Sequence, residues 1–306
     1  IPGNGKKAPK TWGLSSCKNG YSGLKWKFSR NHLMHVFIPG GAGYVGSLLI
    51  PALIEAGYEV TVYDLFLQGE AIFEPIQDHP KLSLVKGDVQ DLKLMEEALN
   101  GCETILHLAC SLENLETTSF ESFVQIAKRK IANRFIFTSS FAVYGNVKNR
   151  TEEASPYPLS SYGKYKNACE KILMEHNNTR FSCSILRLGS VFGAAPGWRP
   201  QRNPVETGPF EYSPWLHIRD LVEVYLQLLK TPSHQTNGEI YNVGYHSLSP
   251  TKILGQEEVF PFSSKKIEKL LNFSPRFSLE EVKESAEENP LTELLKRQKS
   301  RAAYRY

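Results

Sequence analysis

A chain of 306 residues, 41% hydrophobic and 22% charged, has a globular composition and enough length to bury a substantial core. No run of eighteen apolar residues occurs, so no membrane-spanning helix is expected. The net charge of +4 comes from residues 1–33, where seven basic side chains (Lys6, Lys7, Lys10, Lys18, Lys25, Lys27, Arg30) meet no acidic one; removing that +7 leaves −3, which excludes a basic body built for a nucleic acid polymer.

The basic leader is rich in Gly, Ser and Lys and lacks amphipathic periodicity, so it reads as a flexible tail, with an organelle-targeting segment as the lesser alternative. Met34, just before the first apolar run, would make a natural start. Cys17, Cys102, Cys110, Cys169 and Cys183 are odd in number and scattered, with no Cys-x-x-Cys pair. That usage argues against a disulfide framework or a metal site and fits a reducing, cytoplasmic setting.

From residue 35 short β-rich runs alternate with amphipathic stretches. His35–Pro39 predicts a strand and Tyr44–Ala56 a helix with Val45, Leu48, Leu49 and Leu53 on its apolar positions. Strands follow at Glu59–Tyr63 and Leu82–Val85, then a helix at Asp91–Leu99 opened by its acidic first residue. Thr104–Leu108 and Phe135–Thr138 predict two more strands flanking a helix at Ser119–Lys130, and Ser161–Glu175 a helix before the strand Phe181–Leu188. Ile218–Leu229 predicts an apolar helix entered through Asp220, and Glu239–Val243 a short strand. Ser263–Leu271 and Ser278–Glu287 predict two final helices, each with a serine as N-cap. Such alternation builds an α/β fold, a doubly wound parallel sheet of the Rossmann type with helices on both faces.

Between the first strand and helix lies Gly40-Gly41-Ala42-Gly43-Tyr44-Val45-Gly46, in which Gly40, Gly43 and Gly46 have the spacing G-x-x-G-x-x-G. Such glycines let backbone N–H groups approach a pyrophosphate at a helix N-terminus; alone, they serve tight strand–helix packing equally well. Asp64 ends the second strand eighteen residues after Gly46, where a carboxylate can accept both ribose hydroxyls of an adenosine and repel a 2′-phosphate, favouring NAD over NADP. Asp88, in Lys86-Gly87-Asp88-Val89, either faces the adenine edge or is a turn aspartate.

Tyr162 and Lys166 stand four apart at the start of the predicted helix, on one face and within reach of a common ligand. A neighbouring ammonium and a cationic nicotinamide ring favour the phenolate and make Tyr162 a candidate acid/base; the alternative is a surface pair. Ser140 follows the strand Phe135–Thr138, at the end where an open parallel sheet presents its ligand crevice, although serines also collect there for local backbone bonding.

Taken together these stretches resemble the extended short-chain dehydrogenase/reductase superfamily and, within it, the NAD-dependent sugar-nucleotide epimerase/dehydratase family. The resemblance runs over Gly-Gly-Ala-Gly-Tyr-Val-Gly at 40–46, Tyr-Asp at 63–64, Gly-Asp-Val at 87–89 and His-Leu-Ala at 107–109. It continues through Ser-Ser-Phe-Ala-Val-Tyr-Gly at 139–145, Ser-Tyr-Gly-Lys-Tyr-Lys at 161–166, Leu-Arg-Leu-Gly-Ser-Val-Phe-Gly at 186–193, Leu-His-Ile-Arg-Asp at 216–220 and Tyr-Asn-Val-Gly at 241–244. It implies cofactor contacts from Gly40, Gly43, Tyr44, Val45, Gly46, Asp64, Asp88, Val89, Leu108, Ala109, Tyr162 and Lys166. It also implies Tyr162 as acid/base, Lys166 on the nicotinamide ribose and Ser140 on the sugar 4-hydroxyl. The cofactor would be NAD, the partner a nucleotide-sugar substrate, and the assembly a homodimer made by the helices at 119–130 and 161–175. Core packing explains the apolar Phe120, Phe123, Ile126 and Ile172 of those helices as well as a dimer does.

The resemblance divides the chain into an NAD-binding Rossmann domain at 34–190 and, at 191–306, mainly a small C-terminal substrate-binding lobe, with 218–244 returning to the Rossmann domain. Members that dehydrate their sugar carry an acid pair after the serine or threonine; here Phe141 and Ala142 occupy those positions and neither can move a proton. Epimerisation at C4 through a 4-keto intermediate is the favoured chemistry, with a reductase of small carbonyl compounds or a catalytically idle dinucleotide-binding scaffold as alternatives. Pro39 and Leu188 replace a usual threonine and a frequent proline, and Asn114 is a poor counterpart of the family's asparagine. The segments 110–134, 194–216 and 245–262 are short for the family. Arg199, Arg219, Arg187 and Arg202 are candidates to hold the diphosphate, Arg199 first, each otherwise a solvated surface arginine.

Overall fold

The computed structural model describes residues 34–67, 69–110, 117–130, 132–145, 147, 149–193, 214–244 and 262–276. The leader, the helix expected at 278–287, Asn114, Arg199, Arg202 and most of 194–216 and 245–262 lie outside the described residues.

Strand β1 (His35–Pro39) leads into α1 (Tyr44–Glu55), followed by β2 (Glu59–Asp64), β3 (Leu82–Lys86), α2 (Leu92–Ala98), β4 (Thr104–His107), α3 (Thr118–Arg129) and β5 (Arg134–Ser140). A 3-10 turn at Phe141–Tyr144 precedes α4 (Ser161–His176), β6 (Ser182–Leu188) and β7 (Ser190–Phe192). Then come β8 (Trp215–His217), α5 (Ile218–Lys230), β9 (Glu239–Val243) and α6 (Lys265–Leu271). Seven strands form one sheet in the order β3-β2-β1-β4-β5-β6-β9, every pair parallel, while β7 and β8 pair apart from it. The chain proceeds from β1 outward to β3 on one side and then resumes at β4 on the other. The crevice that opens between β1 and β4 is the topological switch point of a Rossmann-type sheet.

Helices cover both faces because the strand residues are apolar on both. Along β1, Val36 and Ile38 join one core with residues of α1 and α5, and Phe37 joins the other with residues of α2, α3 and α4. All seven residues of β6 are buried. Phe120, Phe123 and Ile126 are at most 6% exposed and belong to the second core, with Ile172 partly buried against it. Their apolar character is thus accounted for inside the protomer.

The helix starts follow capping chemistry with two departures from expectation. Asp91 caps α2 by accepting from Leu94 N at 3.0 Å, and Ser160 caps α4 by accepting from Gly163 N at 3.0 Å. Helix α5 is entered through His217, whose Nδ1 accepts from Arg219 N at 3.3 Å. Before α6, Ser263 Oγ accepts from the first helical amide, Lys265 N, at 3.4 Å, while Ser264 at the cap position makes no side-chain cap bond. Ser264 Oγ instead donates to Gly244 O at 2.6 Å and accepts from Gly244 N at 2.9 Å, tying α6 to the end of β9. At the other end of α5, buried Arg134 donates to Leu228 O at 2.8 Å and Thr231 O at 2.9 Å, so β5 closes the helix C-terminus with a cation. Among the described residues no helix is long and apolar enough to cross a membrane.

His107, at the end of β4, is 4% exposed within 6 Å of the Phe120, Phe135 and Phe137 ring centroids, and its Nδ1 has no hydrogen-bond partner among the described residues. Burial, reinforced by the Lys166 charge, pushes its pKa from 6.5 down to about 3. The unfolded chain therefore takes up this proton at a higher pH than the folded one. The stability owed to a neutral His107 is complete above about 6.5 and is lost as pH falls toward about 3. In urea titrations at pH 7.5 and 4.5, His107→Leu should lose less stability between the two than the parent does. An equal loss would show that His107 does not titrate in this way.

Candidate active site

The turn after β1 is built by contacts too close for side chains. Gly40 has φ +79°, and a Cβ on it would stand 2.4 Å from the Ala109 backbone; one on Gly46 would stand 1.8 Å from Gly41 O. Both glycines are required by the fold itself. Gly43 is different: its φ is −85°, and a Cβ would meet only Gly40 O at 3.4 Å. A glycine that the protein's own packing does not demand leaves its face open to a group from outside. It is also the N-cap of α1, which has no side-chain cap and no acid in its first turn, so the helix dipole there is offered to an anion.

Asp64, at the end of β2, faces the same turn. Its Oδ2 accepts from Ala42 N at 3.0 Å and its Oδ1 from Phe66 N at 2.9 Å. An ionised carboxylate has about four acceptor positions, so two remain for vicinal hydroxyls. Asp88 is exposed and its Oδ1 accepts from Gln90 N at 2.9 Å, a local turn bond. Val89, Leu108 and Ala109 are partly exposed at the ends of β3 and β4, and Val45 opens α1. Tyr44 points elsewhere: its hydroxyl donates to Gly193 O at 2.5 Å, joining the glycine turn to the chain leaving β7.

Ser140, Tyr162 and Lys166 are brought together where β5 meets the first turns of α4. The Ser140 hydroxyl lies close enough to the Tyr162 phenol to lower its pKa, and it accepts from Ala142 N at 3.1 Å. Lys166 is 2% exposed, with Nζ 5.9 Å from the Tyr162 ring centroid and 4.8 Å from that of Phe137. That ammonium donates to Thr138 O at 2.8 Å; an ammonium has three donors, and two are left. Burial raises the Tyr162 pKa, Lys166 and the Ser140 hydroxyl pull it down, and the net displacement is upward. The ammonium that the sequence suggests as activator is therefore outweighed by desolvation of the phenol.

The remaining candidates separate. Arg187 is neither a phosphate ligand nor a surface side chain: it is 2% exposed and its Nη2 lies 2.7 Å from Glu170 Oε2. Arg219 is exposed on the first turn of α5. Phe141 and Ala142 are both 4% exposed, with the Arg150 guanidinium 4.5 Å over the Phe141 ring. Cys110, after β4, lies close enough to bear electrostatically on Tyr162 and Lys166, which motif spacing does not reveal. Glu170 escaped notice too, although its position four residues beyond Lys166 is a helical-face signal.

Residues 36–207 match the family described as "NAD dependent epimerase/dehydratase family". UDP-arabinose 4-epimerase 1 of Arabidopsis thaliana is 28% identical over 196 residues, 56% of this chain and 47% of that protein, so the chain spans about half the length of such curated relatives. Among solved structures, dTDP-glucose 4,6-dehydratase of Bacillus anthracis in complex with NAD superposes with a TM-score of 0.67 at 20% identity, covering 81% of this chain and 93% of the other. UDP-glucuronic acid 4-epimerase of Bacillus cereus, in complex with UDP-glucuronic acid and NAD, gives 0.64 at 22%, covering 80% and 95%. The likeness to these structures is one of fold.

NAD is the cofactor of this family, and the open Gly43 face, the spare acceptors of Asp64 and the spare donors of Lys166 fit it. Gly43→Ala should therefore weaken NAD binding at least tenfold in a fluorescence titration while leaving the melting temperature close to the parent's. Gly46→Ala should instead destabilise the fold by about 3 kcal/mol or more, because the Gly41 carbonyl must move. A Gly43→Ala protein that binds NAD normally would rule out close cofactor approach at that residue. The match over more than half of the chain makes this protein a member of the NAD dependent epimerase/dehydratase family.

Proposed function

We propose that this protein is a nucleotide-sugar 4-epimerase in which Tyr162 is the acid/base, Ser140 binds the reacting hydroxyl and Lys166 orients the cofactor's nicotinamide ribose. The observation that carries the reading is the convergence of these three side chains at the C-terminal end of β5, beside a turn fitted to NAD. Kinship with a UDP-arabinose 4-epimerase supports the substrate class.

Bound beside Lys166 and the glycine turn, NAD would supply a reversible hydride acceptor for the sugar C4, and the product would keep the substrate's mass. The Tyr162 phenolate accepts the C4 hydroxyl proton, while Ser140 holds that oxygen and fixes the sugar's approach. Lys166 beside the phenol favours the deprotonated form of Tyr162 that the buried position disfavours. Once the 4-keto sugar presents its other face, Tyr162 returns the proton to the same oxygen. Phe141 and Ala142, both buried, carry no ionisable group and supply no acid for removing water across C5–C6. This disfavours dehydration. Arg219, and Arg199 outside the described residues, are the proposed diphosphate ligands.

The decisive experiment incubates the protein with NAD and UDP-, dTDP-, GDP- and CDP-hexoses and pentoses, with products followed by mass and NMR. An isomer of unchanged mass is expected, and Tyr162→Phe should lower kcat by about 10²–10⁴ with NAD still bound. Loss of 18 mass units (~one water), against the expectation from Phe141 and Ala142, would replace the epimerase by a dehydratase. No turnover in a protein that binds NAD would favour the scaffold or the small-carbonyl reductase.

A further inference from the structure

We propose that Glu170 and Ser139 are positioning residues: a clamp between α4 and β5 that holds Ser140 against Tyr162 without touching substrate or cofactor. The inference rests on Tyr162 being the acid/base. Tyr162, Lys166 and Glu170 lie one turn apart on one face of α4. Each engages one of three consecutive residues ending β5. Lys166 Nζ donates to Thr138 O at 2.8 Å, the Ser139 hydroxyl donates to Glu170 Oε1, and the Ser140 hydroxyl lies beside the Tyr162 phenol.

Glu170 is anchored from below as well. It is 3% exposed, and Arg187 donates to it from Nε at 3.1 and 3.2 Å and from Nη2 at 2.7 Å. Arg187 is the direct β6 neighbour of Ser139 in the sheet register. Its Nη1 donates to the Tyr144 hydroxyl at 2.9 Å, and Tyr144 ends the 3-10 turn that Ser140 caps. The carboxylate thus fixes two adjacent strand ends and, through Tyr144, the turn leaving Ser140. A buried ion pair stabilises a fold poorly compared with well-packed apolar residues of the same volume. What it supplies is a directional constraint: a shift of α4 along β5 breaks these bonds, and with them the Ser140–Tyr162 contact.

Among the described residues, Lys166, Cys110 and Tyr165 interact with Tyr162, Arg187 and Cys169 with Glu170, Tyr144 with Arg187, and Glu152 with Tyr144. Ser139→Ala deletes one buried hydroxyl and leaves every one of these charges in place, so a change at Tyr162 must come from position.

The test uses the full chain with saturating NAD and 13Cζ-labelled tyrosine, the Tyr162 resonance being the one lost in Tyr162→Phe. In Ser139→Ala the Tyr162 titration midpoint should rise, because the Ser140 hydroxyl that lowers it is held less firmly beside the phenol. With a nucleotide sugar that the parent turns over, kcat should fall about tenfold while KM and NAD affinity stay within about twofold. Glu170→Gln sets an amide against Arg187 and should lower kcat about a hundredfold. If Ser139→Ala keeps the parent's phenol midpoint and kcat, the clamp is refuted, whether or not Glu170→Gln folds. If the parent turns over no nucleotide sugar, the epimerase reading fails, and the phenol titration alone still decides the clamp.

Discussion

Gly40 and Ala109 meet backbone to backbone where β1 and β4 diverge, and the site depends on that approach. A Cβ on Gly40 would fall 2.4 Å from the Ala109 N and Cα, so the two chains can run this close only if one residue has no side chain and a positive φ. Gly40 N donates to Tyr63 O at 2.9 Å and Leu108 N to Pro39 O at 2.9 Å, which pins the ends of β1, β2 and β4 to one another. That pinning aims the first turn of α1 across the crevice and brings Asp64 to the same turn through Ala42 N. A looser junction would leave the carboxylate and the open helix end facing different spaces.

On the far side of the crevice the constraint is electrostatic. Helix α4 buries an ammonium and a carboxylate one turn apart, Lys166 and Glu170, above a guanidinium on β6. No one of these charges could be buried alone at acceptable cost, and each is tied to a backbone carbonyl, a hydroxyl or an opposite charge. Their combined effect is to hold a cation beside a phenol that burial pushes toward protonation. In the proposed mechanism Tyr162 both accepts and returns a proton, a task suited to a group lying between these opposing effects.

Sequence periodicity recovers this sheet well because its strands are short apolar runs between glycine turns and amphipathic helices: β1 and β9 have the same bounds in sequence and structure. The glycine turn, Asp64, and the Tyr162–Lys166 pair are legible for a related reason, since each is a local spacing that one element imposes. What spacing cannot carry is partnership across elements. Nothing near Arg187 in the chain distinguishes a phosphate ligand from an arginine facing Glu170 on a neighbouring helix, and the pairing exists only once β6 lies beside β5. Ser264 fails as a cap for the same reason, because the end of β9 competes for its hydroxyl at 2.6 Å.

The 3-10 turn after β5 shows how one scaffold can restrict its chemistry by packing. Phe141 there is enclosed by Tyr144 and Phe262, with ring centroids 6.2 and 5.8 Å away, and by the Arg150 guanidinium. Arg150 is itself held by the carbonyls of Val147 at 2.9 Å and Gly145 at 3.2 Å, so the cation is fixed on the backbone while it lies over the aromatic face. A carboxylic acid put at position 141 would meet this guanidinium, which favours the ionised form and opposes proton donation. Adding an acid pair to this chain would not by itself make a dehydratase, because the aromatic nest and Arg150 would have to change with it.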